Sequence, residues 1–320
     1  MPVFSIHHIT RYVYDRPVKE SCNEVKIYPF SSNLQETISH NIHITCSPEV
    51  HNYTDYWGNK AGYFQIAQPH SETVIDSRLT VRTIPINLET INKFTTLDDI
   101  KAFTKTNVLL TECVLPDSVA QNHLIKQIIR ECFTQNMRVF DIAEKCNNYI
   151  FTNFTYTKGI TNIETTVDEI LTAKAGVCQD FAHVMLQVLR TIGIPCRYVS
   201  GYICPNKNGL RGEGATHAWV EVFIPQTGWV GIDPTNNIWV TDNHVKLAVG
   251  RHFMDCTPMK GVFKGPASQQ LSVYVSVGYE DGHVFEELNK VNMEIIAEDG
   301  QKTITTHFQF DEQQQQQQQQ

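Results

Sequence analysis

The apolar period of this chain changes twice. From residue 1 to about 85, polarity alternates every second residue, as in Phe4, Ile6, His8, Thr10, Tyr12 and Tyr14, then again in TISHNIHITC and RLTVRTI. Alternation of that kind buries one face of a strand, and stretches such as SPEVHNYTDYWGNKAG supply the chain reversals between strands. From Thr96 to about Thr191 the apolar residues recur instead at intervals of three and four, with expected helix starts at Thr96, at Asp117 or Ser118, at Asn136 and at Thr166. After Gly193 the two-residue period returns in CRYVSGYI, HAWVEVFI, GWVGID, HVKLAV, LSVYVSV, MEIIAE and TITTHFQF, with Asp299-Gly300 a hairpin signal. Helices and strands segregated in this way define an α+β fold. The expected division is an N-terminal β domain over 1–85 in the form of a small antiparallel sandwich, a core over 86–250, C-terminal strands over 251–312 that complete the core, and a polyglutamine tail over 313–320 that joins no core.

Composition narrows the function classes. Acidic residues outnumber basic ones 34 to 26, the net charge is −8, and no block of Lys and Arg occurs, so neither nucleic acid nor an anionic membrane is an expected partner. No apolar run approaches the ~20 residues of a membrane span and the start, MPVFSIHHIT, lacks the pattern of a secretory signal, which gives a cytoplasmic expectation. Nine scattered cysteines, an odd number, read as thiols rather than as a disulfide framework. Phosphate-loop, dinucleotide, zincin, zinc-ribbon and esterase motifs are absent, and GLRGEGATH, between two strands, reads as a flexible loop.

The chemistry concentrates in AKAGVCQDFAHVMLQVLRTIGIPCRYVSGY. Phe181, Val184, Met185, Val188, Leu189 and Ile192 form one apolar helix face, ended by Gly193 and Pro195. Cys178 then falls in the first turn on the inward face, where unpaired amides and the helix dipole favour a thiolate. A cysteine on an inward helix face is ordinarily a small apolar residue; a glycine two positions before it and a helix beginning on it set Cys178 apart from the other eight. A sulfur nucleophile needs a base. His217 opens HAWVEVFI, a strand apolar on both faces and therefore central, and Asp233 ends GWVGID on the neighbouring strand of a short hairpin. A structural histidine and an Asp-Pro turn starter are the plain alternatives for these two.

AGVCQDFAH, GIPCRYVSGY, THAWVEVFIP and GWVGIDPTNN, in that order and with Cys, His and Asp separated by 39 and 16 residues, resemble the transglutaminase-like superfamily. YVYDRPVKES and DYWGN resemble the β region that precedes the core in bacterial transglutaminase-like proteins, and HVKLAVGRHFMDCTPMKGVFKG is similar to the segment after their acid, except that His252 stands where an acidic residue is expected. The resemblance implies a papain-like core with Cys178 as nucleophile, His217 as general base and then acid, and Asp233 as the group orienting His217. The backbone N–H of Cys178 and the side chain of Tyr156 are candidate oxyanion donors, and Trp219, on the face of His217, is either a shield against water or a packed core aromatic. The expected activity is cysteine-dependent hydrolysis or acyl transfer at a carboxamide or peptide bond of a peptide or protein, through a thioester and without metal or cofactor. Protein crosslinking onto an amine and a non-catalytic peptide-binding module are the alternatives.

The orienting role makes a geometric demand. His217, Trp219, Glu221 and Phe223 share one strand face, and Asp233 joins them only if Phe223 pairs with Trp229, which predicts a five-residue connection from Ile224 to Gly228.

Overall fold

The structure is a computed structural model that describes residues 1–162, 164–204, 210–212, 215–279, 284–298 and 301–309. The polyglutamine tail, Asp299-Gly300 and, within GLRGEGATH, Gly209, Glu213 and Gly214 lie outside the described residues. Two compact units emerge: residues 83–257 with Met1, and residues 2–82 together with the chain from Pro258 onward.

The second unit corrects the expected domain boundaries. Its strands form two antiparallel sheets, and both recruit strands from the C-terminal part of the chain. Val3–Val18 pairs on one side with His70–Thr83 and on the other with Gln269–Tyr279. Glu20–Val25 likewise takes Lys60–Ile66 on one edge and Met259–Lys264 on the other. The C-terminal strands therefore complete the N-terminal β unit and not the core, and residues 1–85 do not make a separate sandwich. The physical reason is the open edge. Each of these N-terminal strands carries a second row of backbone donors and acceptors that must find a partner. Val25, Phe64 and Ile66 from one sheet and Ile44 and Ile75 from the other share a buried apolar cluster.

The first unit is helices packed on an antiparallel sheet. The sheet runs in the order Ile238–Trp239, Gly228–Asp233, Ala215–Ile224, Cys196–Ile203, His244–Gly250, so the strand of His217 is the central one of five. The helix Cys178–Ile192 lies against it. Phe181, Val184, Met185, Val188 and Leu189 are fully buried, in one cluster with Ala218, Val220, Val222 and Ile224 of the central strand. At about 2 kcal/mol of transfer free energy per buried side chain, this face dominates the packing of the helix. Gly193 ends it in the left-handed conformation at φ 100°.

The helical region follows the expected pattern with local differences. Thr96 and Thr166 cap their helices, each with its own side chain and a carboxylate three residues on. The helix Asn122–Cys132 starts later than Asp117 or Ser118, because the carboxylate of Asp168 accepts the N–H groups of Ala120 and Gln121 at 3.0 and 2.6 Å and caps the helix from outside. The helix Val139–Asn153 starts after Arg138 rather than at Asn136, whose φ of 69° is a turn conformation. A short helix, Val108–Val114, capped by Asn107, was not anticipated in the apolar run VLLTECV.

Candidate active site

Cys178 is the first residue of its helix. The chain reaches it through Thr155–Tyr156, which pairs in parallel with Ala175–Gly176. Asp180 fixes the entry: its Oδ2 accepts the N–H of Val177 and the hydroxyl of Thr161, both at 2.7 Å, and burial raises its pKa above the ordinary carboxylate value. Gly176 is required here because a Cβ would collide with the Asp180 carboxylate. The remaining cysteines of this unit (Cys113, Cys132, Cys146, Cys196, Cys204 and Cys256) are buried, whereas Cys178 is partly exposed. Burial pushes the thiols of Cys113 and Cys196 up to about 11 and about 12, which makes them poor nucleophiles.

The hairpin register places the other two groups. Phe223 pairs with Trp229 and Val220 with Ile232, so Asp233 continues the series opposite Trp219, on the face of His217. Pairing also extends to Ile224 and Gly228, so the connection is Pro225–Thr227, three residues instead of five. Gln226 at φ 69° and Gly228 at φ 95° accomplish the tighter reversal. The Nε2 of His217 donates to Asp233 Oδ2 at 2.9 Å, and both side chains are wholly buried. Its Nδ1 has no protein partner within hydrogen-bond geometry. Burial alone would lower the pKa of His217; the charges of Asp233 and Cys178, with the hydrogen bond to Asp233, overcome this and raise it to about 10. Asp233 shows the converse. Burial would raise its pKa, and His217 followed by His244 hold it well below the carboxylate range.

Four donors converge on the Asp233 carboxylate: His217 at 2.9 Å, His244 Nε2 at 3.3 Å, the N–H of Thr235 at 2.9 Å and Asn236 Nδ2 at 2.7 Å. The sequence reading missed His244 and Asn236. His244 carried a usable signal, since it opens HVKLAV as His217 opens HAWVEVFI. Asn236 also binds the approach to the central strand, with its Oδ1 accepting the N–H of Arg211 at 2.7 Å and its Nδ2 reaching the Arg211 carbonyl at 3.3 Å. The next residue, Gly212, lies over the site, where a Cβ would stand 3.4 Å from His217 Nδ1 and 3.7 Å from the Tyr156 hydroxyl. Tyr156 is therefore at the site, anchored edge-on against Phe181. Trp219 is 1% exposed, with its ring near-parallel to His217 and edge-on to His244 at 5.2 Å, so it forms the wall behind both imidazoles. His252, the departure from the expected pattern, precedes the short helix Phe253–Cys256 and lies 3.7 Å from Asp255.

His217, Asp233 and His244 are the one group among the described residues with metal-ligand spacing, their ligand atoms all within 4.8 Å. Hydrogen bonds to the shared carboxylate account for that closeness. What the arrangement can do is hold an imidazole protonated beside a partly exposed thiol at a helix start, the chemistry of cysteine-dependent hydrolases and transferases with a papain-like fold.

Comparison with known proteins defines the group more closely. Residues 126–234 match the transglutaminase-like superfamily and residues 4–82 match the bacterial transglutaminase-like N-terminal region. An uncharacterized protein of Mycobacterium bovis is 31% identical over 276 residues, covering 81% of this chain and 87% of that protein, and one of Mycobacterium leprae is 29% identical over 286 residues, covering 84% and 96%. A protein-glutamine gamma-glutamyltransferase of Pseudomonas aeruginosa is 38% identical over 76 residues, 22% of this chain and 11% of that one. Among solved structures, a Cytophaga hutchinsonii protein described as a candidate cysteine protease shares the fold at a TM-score of 0.66 and 20% identity, covering 96% of this chain and 98% of its own. The chain belongs to the transglutaminase-like superfamily, in the group that carries the bacterial N-terminal region. No described helix is long and apolar enough to cross a membrane.

Proposed function

We propose that this protein hydrolyses a carboxamide or peptide bond by cysteine-dependent acyl transfer. The carrying observation is the fully buried His217–Asp233 pair at 2.9 Å, with the Cys178 charge contributing to the raised proton affinity of His217. In this reading the Cys178 thiolate attacks the carbonyl carbon, and the C–N bond breaks as His217 gives its proton to the leaving amine. Water then attacks the thioester, giving a proton back to His217 and releasing the acid. The helix-start N–H of Cys178, which has no acceptor within its helix, and the hydroxyl of Tyr156 are the proposed donors to the oxyanion.

A second reading passes the acyl group to an amine instead of water. The similarity to the Pseudomonas aeruginosa glutamyltransferase favours it over the short matched stretch. One experiment tests both: incubate the protein with a peptide library containing glutamine and with excess primary amine, quench, and identify by mass spectrometry what is bound to Cys178 and what is released. An acyl group on the Cys178 peptide, absent in Cys178→Ser, supports the chemistry. Free acid against amide product then divides hydrolysis from transfer. A Cys178 that never acquires an acyl group across the library, while the other cysteines behave alike in both proteins, contradicts the proposal.

A further inference from the structure

His244 is the one buried imidazole at this site that the proposed chemistry leaves without a task. It sits across the sheet from Asp233, two strands beyond the strand of His217, on the far edge strand His244–Gly250. Its side chain is completely buried. A tight turn fixes its backbone: the His244 N–H donates to the Thr241 carbonyl at 3.3 Å, the Asn243 N–H donates to the Thr241 hydroxyl at 3.3 Å, and the Asn243 carbonyl accepts the N–H of Cys204 at 2.7 Å. The two ring nitrogens have opposite roles. The N–H of Thr241 points at Nδ1 at 3.4 Å, which makes Nδ1 the acceptor, and Nε2 therefore carries the proton and donates it to Asp233. Burial is the main cause that lowers the pKa of His244, so the ring stays neutral where His217 is charged.

From this array, resting on the triad reading above, we infer that His244 is a positioning residue, a neutral donor that holds the Asp233 carboxylate ionised and aimed at His217. The reason it must be neutral is electrostatic. A second imidazolium 5.9 Å from His217, ring centre to ring centre, would compete for the same carboxylate and weaken the hold on the first. A neutral N–H adds a hydrogen bond without adding a charge. With His217 and Asn236 it places three donors on Oδ2 of Asp233 while the Thr235 N–H holds Oδ1, so the carboxylate cannot rotate away without leaving buried donors unpaired. Trp219, packed against both rings, helps keep them in place.

Among the described residues, the charged and titratable groups around this array come from five elements. His217 approaches from the central strand, His244 from the edge strand, Cys178 from the helix start, and Arg211 from the segment before the central strand, where its guanidinium lies over Phe151 and 3.5 Å from the Thr235 carbonyl. Tyr156 faces the Nδ1 side of His217 across Gly212. Of these, only His244 supplies Asp233 with a neutral ring donor.

The test uses two substitutions and no substrate. Glutamine can present an amide N–H close to where His244 Nε2 lies, and leucine fills similar volume without a donor. The readout is the pH dependence of Cys178 alkylation by iodoacetamide, followed on the Cys178 peptide by mass spectrometry, with a thermal melt run alongside. For His244→Leu, the acid limb of the profile moves to higher pH by about one unit, because Asp233 gains a proton more readily and releases His217. His244→Gln restores most of that shift. Acid limbs in both variants that coincide with the unmodified protein overturn the inference, whatever happens to the melting temperature, as does an equal shift in both. If the unmodified protein itself shows no His217-dependent alkylation, it is the triad reading that fails, and the two failures are thereby told apart.

Discussion

Asp233 has to remain ionised where no water reaches it, and the four donors around it are what make that possible. Replacing it with asparagine removes the charge but keeps the shape. Asp233→Asn is therefore expected to lower kcat by about 10²- to 10⁴-fold with a much smaller change in KM, because the loss falls on the orientation and proton affinity of His217 and not on substrate contacts. Steady-state kinetics on a carboxamide peptide would check this, and a loss appearing only in KM would count against an orienting role. Turnover should also fall as pH rises through about 10: burial disfavours the imidazolium, Asp233 and Cys178 hold it, and its proton, needed by the leaving amine, is released only there. At this scale the sequence was informative where a residue type coincided with an unusual position. Cys178 had a helix start and His217 and Asp233 had strand ends on one hairpin. His244, at a strand start, could be picked out as a candidate, but that it and Asn236 both meet Asp233 depends on a strand order and a turn geometry that the sequence does not display.

Between elements, the decisive feature is the absence of a side chain at Gly201. It pairs with His217 on one neighbouring strand and with Lys246 on the other, and a Cβ there would collide with the Val245 carbonyl and stand 2.6 Å from the Trp219 ring. Gly201→Ala should lower stability by about 1–3 kcal/mol, the range for forcing extra volume into a packed core, and should slow Cys178 alkylation through displacement of Trp219. A denaturant titration beside an alkylation assay checks both parts, and unchanged stability would mean that the three strands are less tightly joined than the geometry states. The hairpin shows what sequence could and could not read. Face parity fixed the partner of Trp229, because a one-residue slip turns Asp233 to the opposite face, but parity is silent on the turn, and positive φ at Gln226 and Gly228 closed it in three residues. The helix faces followed directly from period. The start of Asn122–Cys132 did not, since its cap comes from Asp168, more than 40 residues away.

Across the whole molecule, the assignment of the C-terminal strands was the largest thing hidden from the sequence. Period identifies a strand and says nothing of which sheet edge it will join, and the open edges of Val3–Val18 and Glu20–Val25 took them. Global stability carries its own signature. Glu221 is buried between Arg197, at 2.7–2.8 Å, and Lys246; burial would raise its pKa, and the two cations outweigh that and lower it to about 2. A lowered pKa means stability that is present above the ordinary value of ~4.3 and lost as pH falls from there toward 2, on the order of 3 kcal/mol in all. Melting curves from pH 6 to 2.5 should show this loss in the unmodified protein and a shallower one in Glu221→Gln, which is already destabilised by its unpaired cations; parallel curves would remove Glu221 from the account. The central claim, that Cys178 and His217 act as a thiolate–imidazolium pair, is tested most directly by the rate of Cys178 alkylation against pH in the unmodified protein and in His217→Ala. The pair predicts alkylation that persists well into the acidic range in the first and collapses there in the second. Two profiles that coincide, both rising only near the ~8.5 of an ordinary thiol, would contradict it.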